Sequence, residues 1–155
     1  MKKFIVILLS FVAFATAANA QKKVLYKNTV RFLNTELDGS ETLRVTGFGR
    51  NRDDAQEQAM KNAVYVVIFE GVKDGNKGGQ RRPLIEETNA REKYAEYFDI
   101  FFMDKGEYLK YVTLQDKRFR SNNKDKTKLG KAYEMTVRVL RSQLKERLKQ
   151  DKVLH

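Results

Sequence analysis

Ala55, Ala59 and Ala63 recur at every fourth residue, and Val67 continues the series. Side chains four apart share one helix face, so the spacing predicts a helix whose contact face is a low ridge. Such a helix can lie close against a sheet, which restricts the chain to folds that stack the two. The flanks agree. Gly47-Phe48-Gly49 closes a strand pattern, Asn51 or Asp53 is placed to cap a helix starting at Asp54, and Gly71 is a natural stop. Asp53 and Asp54 also suit the positive end of the helix dipole. From Ala63 to Phe69 the helix is apolar nearly all round, which implies burial on two sides or against a partner.

Strand signals surround this helix. Val24, Tyr26, Val30 and Phe32 hold one parity against Lys27, Thr29 and Arg31. The turn signal Asp38-Gly39-Ser40 follows, then a second strand from about Thr42 to Phe48, so the pair reads as an antiparallel hairpin. Residues 70–83 hold four glycines and the single proline and read as a flexible loop. A second helix opens with Asn89 and Glu92 as a capping box. It carries Ala90, Tyr94, Tyr97, Phe98, Phe101 and Phe102 on one face and ends at Lys105-Gly106.

A strand is expected from about Glu107 to Gln115, with Tyr108, Val112 and Leu114 on one side. Residues 116–131 read as a polar connection, long for a hairpin, that orders on binding. Tyr133, Met135, Val137 and Val139 then alternate with Glu134, Thr136 and Arg138 in the clearest strand of the chain. It runs into a short basic helix with Leu140, Leu144 and Leu148 four apart. The fold class is α+β: a small, mainly antiparallel sheet packed against two main helices, with a short basic C-terminal helix. The aromatic face of the second helix, if wider than so small a sheet covers, is a candidate interface.

The N-terminus supplies an address. Lys2 and Lys3 precede an apolar run from Phe4 to Ala15, followed by ATAANA with Ala18 and Ala20 at the two positions a signal peptidase reads. The run is about a dozen residues where a membrane span needs about 20. Residues 1–20 are therefore expected to be cleaved, leaving 21–155 as a single α+β domain with no internal repeat. The absence of cysteine rules out lipid attachment through an N-terminal cysteine. The expected location is the periplasm or the outer membrane of a bacterium.

Two blocks also carry a resemblance. ETLRVTGFGRNRDDAQEQAMKNAVYVVIFEGV is a strand, a glycine pair and a helix with alanines four apart; AYEMTVRVLRSQLKERL is an alternating strand passing into a leucine-spaced helix. This pairing resembles the small exported α+β domain of envelope lipoproteins and of the N-terminal domain of flagellar assembly protein T. The resemblance covers residues 41–72 and 132–148 and implies a non-catalytic accessory or assembly module. It carries no flagellar role, because the lipid-bearing cysteine and the further domains are missing.

Most enzyme chemistry is unsupported by the residues. With no cysteine and one histidine, at position 155, the chain has no thiol nucleophile and no imidazole positioned for general base work. Gly47-Phe48-Gly49 lacks the third glycine of a dinucleotide loop, since position 52 is Arg52. A calcium loop counted from Asp74 meets Ile85 where a bidentate glutamate is needed. Of the carboxylate pairs, Asp53 with Asp54 and Glu92 with Glu96 are explained by helix capping or helix surface. Glu86 and Glu87 remain as the alternative reading, a small hydrolase acting on envelope polymers. No cofactor and no metal are expected.

What remains is charge. The chain has 31 Lys and Arg against 20 Asp and Glu, and loss of residues 1–20 leaves +9. Residues 70–83 carry +2, 116–131 carry +5 and 138–155 carry +4, so the rest is net −2. A positive excess confined to two loops and a tail suits docking on an anionic surface. The candidate binding residues are Arg81, Arg82, Lys117, Arg118, Phe119, Arg120, Lys124, Lys126 and Lys128. The expected partner is another envelope protein, an anionic envelope surface or a second copy of the chain; nucleic acid and a transmembrane span are not expected.

Overall fold

A computed structural model describes residues 30–75, 81–116, 120–127 and 130–154. The expected export signal at 1–20 and the expected start of the first strand at Val24 lie outside them. The fold is α+β, as the sequence predicts. Strand β1 (Val30–Thr35) and strand β2 (Glu41–Gly49) form the expected antiparallel hairpin, with Val30 opposite Val45 and Thr35 opposite Glu41. Its turn is tied by the Asp38 carboxylate, which accepts from the Ser40 amide at 3.0 Å and from the Ser40 hydroxyl at 2.6 Å.

Helix α1 (Arg52–Tyr65) follows, with the Asn51 side chain accepting from the Asp54 amide at 2.8 Å. Asn51, rather than Asp53, is thus the cap, and the helix begins two residues earlier than expected. Ala55, Ala59 and Ala63 are fully buried, and the ridge packs on the sheet. The last turn, Val66–Glu70, widens to π-helical geometry. The Val67 and Ile68 carbonyls then accept from the Leu84 and Ile85 amides, each at 2.9 Å. The all-round apolar stretch is therefore buried against both sheet and returning chain.

Residues 70–83 are less free than their glycines suggest. The Phe32 amide donates to the Asp74 carbonyl at 2.8 Å, and Val72 and Arg81 exchange backbone hydrogen bonds at 2.9 and 2.8 Å. The open edge of β1 offers unpaired backbone groups, and the described ends of this segment take them.

The second helix is broken in two, α2 (Ala90–Lys93) and α3 (Ala95–Phe101), at Tyr94 with φ −110°. Asn89 does not form the expected capping box: its φ of 64° is left-handed and its side chain makes no cap hydrogen bond. The aromatic face turns inward. Phe98 and Phe101 are buried, with Phe69 at 4.7 Å from Phe98 and Tyr111 at 6.1 Å from Phe101, ring centre to ring centre. The exposed apolar side chains of this region are Ile100 and Met103.

The expected strand over 107–115 begins as a 3-10 turn, Glu107–Tyr111, and only Val112–Leu114 forms strand β3. The turn buries both Tyr108 and Tyr111, three residues apart, which a strand would send to opposite faces. The expected loop over 116–131 is largely a hairpin of strand β4 (Arg120–Thr127) and strand β5 (Gly130–Val139). Backbone pairing along the free edge of β5 does not need apolar side chains, so the polar composition concealed it. The sheet order is β1-β2-β5, and β3 and β4 share the far edge of β5.

Leu43 opposite Val137 and Val45 opposite Met135 build the buried face of the sheet. Helix α4 (Arg141–Gln150) buries Leu144 and Leu148. It is tied to α3 by the Tyr97 hydroxyl, which donates to the Asp151 carboxylate at 2.6 Å. Burial, and then this bond, push the Tyr97 hydroxyl well above the usual tyrosine range. Among the described residues no helix is long and apolar enough to cross a membrane.

The hairpin turn carries a pH signature. Hydrogen bonds from Ser40, joined by Arg138 at 2.8 Å, hold the Asp38 carboxyl down at about 2, from an ordinary 3.8. A lowered folded value means a contribution present above the unfolded value and lost as pH falls through the folded one. The stability difference between the natural chain and Asp38→Asn is therefore expected to be constant above about pH 4 and to vanish towards pH 2. Urea melts of both chains at four pH values check this; a gap that widens on acidification contradicts it.

Candidate functional site

Strand alternation sends Glu41, Leu43 and Val45 to the same side of β2, and that side is the core. Two of these are apolar; the first is a carboxylate. Its side chain is 2% exposed, at the end of the sheet where Glu41 sits between Thr35 and Val139. A buried carboxylate needs counter-charge, and two arginines provide it. Arg81 arrives from the loop paired with Val72, and its Nε lies 3.7 Å from Glu41 Oε1. Arg141 is the first residue of α4, and its Nη1 lies 3.6 Å from the same oxygen.

Both separations are Coulombic contacts longer than a hydrogen bond. Glu41 Oε2, Arg81 Nε and Arg141 Nη1 are buried atoms with no hydrogen-bond partner. Burial pushes the Glu41 carboxyl up, and Arg141 and Arg81 oppose that rise. Each guanidinium is anchored elsewhere: Arg81 donates to Thr35 Oγ1 at 2.7 Å, and Arg141 to the Arg82 carbonyl at 2.7 Å. Arg81 also lies over the Phe32 ring, 5.0 Å from its centre.

Above Glu41 opens a cleft of about 520 Å³ lined by Thr35, Gly39, Arg81, Arg82, Arg141, Ser142 and Lys145 along with Glu41. Its wall holds four cations and one acid. Gly39 belongs to the tight turn, at φ 76°, and a side chain there would begin 2.3 Å from the Ser142 hydroxyl. Glycine thus lets the turn close onto the first turn of α4. That first turn has no side-chain cap. Among the described residues Lys145 makes no ion pair, so its charge is available at the rim.

The structure places the candidate residues of the sequence in two groups. Arg81 and Arg82 are in the cleft. Arg120, Lys124 and Lys126 lie on β4, which pairs with the opposite end of β5, Arg120 facing Glu134 while Glu41 faces Val139. Five residues of strand separate those ends, about 17 Å, so the two basic clusters do not form one site. Lys117, Arg118, Phe119 and Lys128 lie outside the described residues. Glu86 and Glu87 have separate partners, Arg82 at 3.8 Å and Lys93 at 2.7 Å.

Glu41, Arg141, Ser142 and Lys145 went unremarked as site residues in the sequence. The signal for Glu41 was present: an acid on the apolar parity of its strand. No family model, no curated protein and no solved structure matches the chain.

Proposed function

We propose that this chain is an exported, non-enzymatic accessory protein of a bacterial envelope that docks an anionic envelope component at the Arg81–Arg141 cleft. The observation that carries the reading is the convergence of Arg81, Arg82, Arg141 and Lys145 on one opening with a single, buried acid beneath them. Cations from two separate segments gathered at one mouth raise the local concentration of anions and speed their encounter. The N-terminal charge and small-residue pattern supports export, and the resemblance to envelope assembly domains supports an accessory role.

Arg82 and Lys145 make the test clean, because both are rim residues whose charge the core does not need. Reversal of both, Arg82→Glu with Lys145→Glu, is expected to weaken capture of an envelope component by about tenfold, mainly through slower association. Pull-down from solubilised envelope at stepped salt, with both chains, measures it. An unchanged set of captured components would sink the docking reading. N-terminal sequencing of the exported protein is expected to begin at Gln21; a retained Met1 in an envelope fraction contradicts the export reading.

A further inference from the structure

Three unpaired atoms of the residues that line the cleft specify more than negative charge. Arg81 Nε and Arg141 Nη1 are donors that lack acceptors, while Glu41 Oε2 is an acceptor that lacks a donor. A fully ionised oxyanion satisfies the two donors but brings its lone pairs against the Glu41 carboxylate. A cation satisfies the carboxylate and is repelled by the four basic side chains. A group that accepts on several oxygens and holds one exchangeable proton satisfies all three atoms.

The geometry points to a phosphate with an ionisable P–OH, free or as a monoester, sharing one proton with Glu41 in this cleft. The inference rests on the cleft being an anion-docking site and names what it docks. The phosphate oxygens take the Arg81 and Arg141 donors, with Ser142 and the uncapped first turn of α4 beside them. Lys145 and Arg82 balance the remaining charge at the rim. The Arg81 and Arg141 side chains are 39% and 21% exposed, and both line the opening.

The phosphate brings the proton, its P–OH donating to the ionised Glu41 Oε2. The charged groups facing Glu41 are Arg81 and Arg141, and burial opposes a bare negative charge there. A monoester phosphate has its second ionisation near pH 6, so it has a proton to share close to neutrality. Sulfate and phosphodiesters have none. Glu41 is therefore the residue that selects between oxyanions of similar size and shape.

Isothermal titration of the chain at fixed ionic strength, near pH 6.5, tests this with four probes: inorganic phosphate, glycerol 3-phosphate, sulfate and dimethyl phosphate. The first two are expected to bind at least about tenfold tighter than the last two, a ratio equal to about 1.4 kcal/mol. Glycerol 3-phosphate tighter than inorganic phosphate supports a phosphorylated lipid or glycan as the source; the reverse order supports free phosphate. In Glu41→Gln the carboxamide N–H replaces the shared proton, so sulfate is expected to bind about as well as phosphate.

Sulfate binding as tightly as phosphate to the natural chain overturns the proton-sharing inference while leaving the docking reading intact. Should none of the four bind while the charge-reversed chain still loses its envelope component, the inference again fails and docking stands. If none binds and reversal changes nothing, both fail. The comparison within the natural chain needs no variant, so a Glu41→Gln chain that fails to fold leaves the decisive measurement in place.

Discussion

Gly47→Ala is expected to cost more than about 4 kcal/mol of folding stability, a large share of the roughly 5–15 kcal/mol of an ordinary domain. A methyl group at this position would lie 1.9 Å from the Ala55 carbonyl oxygen and 3.0 Å from the Ala59 methyl. The first of these is backbone and has no rotamer to change. Helix α1 must rise from β2 to make room, and the fully buried Ala55, Ala59 and Ala63 then lose their contacts together. In an unconstrained strand the same change stabilises by about 0.5–1 kcal/mol, so the predicted effect has the opposite sign. Urea denaturation followed by circular dichroism measures it. A midpoint equal to that of the natural chain would show that the helix does not approach β2 as closely as described.

Phe98→Ala should be the next most damaging change, at about 3–5 kcal/mol. Phe98 is fully buried, with the Phe69 ring 4.7 Å away and the Tyr97 ring 5.0 Å away, both edge-on. The Phe102 ring stacks at 6.1 Å. Removal of the ring opens a cavity between α3 and the π-helical turn that carries Phe69. Ile100→Ala on the same helix supplies the comparison: Ile100 is 66% exposed, and its loss is expected to stay within about 0.5 kcal/mol. Equal destabilisation by the two changes would mean that the helix buries a different face.

These two predictions draw on different levels of legibility. The ridge of α1 was readable because a four-residue spacing of alanines has few uses other than close packing. Strands β2 and β5 were readable because alternation is a local property, and the register Leu43–Val137 and Val45–Met135 puts both alternating sets on one face. The 3-10 turn at Glu107–Tyr111 was not. Tyr108, Val112 and Leu114 fit a strand, and only the burial of Tyr108 together with Tyr111 distinguishes the turn. The β4–β5 hairpin was missed because its pairing is made by backbone groups, and the polar side chains of β4 carry no apolar alternation. Asn89 failed as a cap because its backbone is left-handed, a conformation asparagine tolerates well, whereas a capping residue is extended.

By itself the sequence determined the elements whose evidence is periodic: the alanine-ridged helix, the alternating strands, the α+β class and the basic character of the segments around Arg81 and Arg141. Tertiary structure alone decided which charges meet. Arg81, Arg82, Arg141 and Lys145 converge because the hydrogen bonds of Val72 with Arg81 and the close approach of Gly39 to Ser142 bring distant segments to the end of β2. Glu41 becomes their shared counter-charge because strand parity turns it inward there. Periodicity is short-ranged and survives in a sequence; electrostatic convergence is a sum over positions in space, and only the folded chain fixes those.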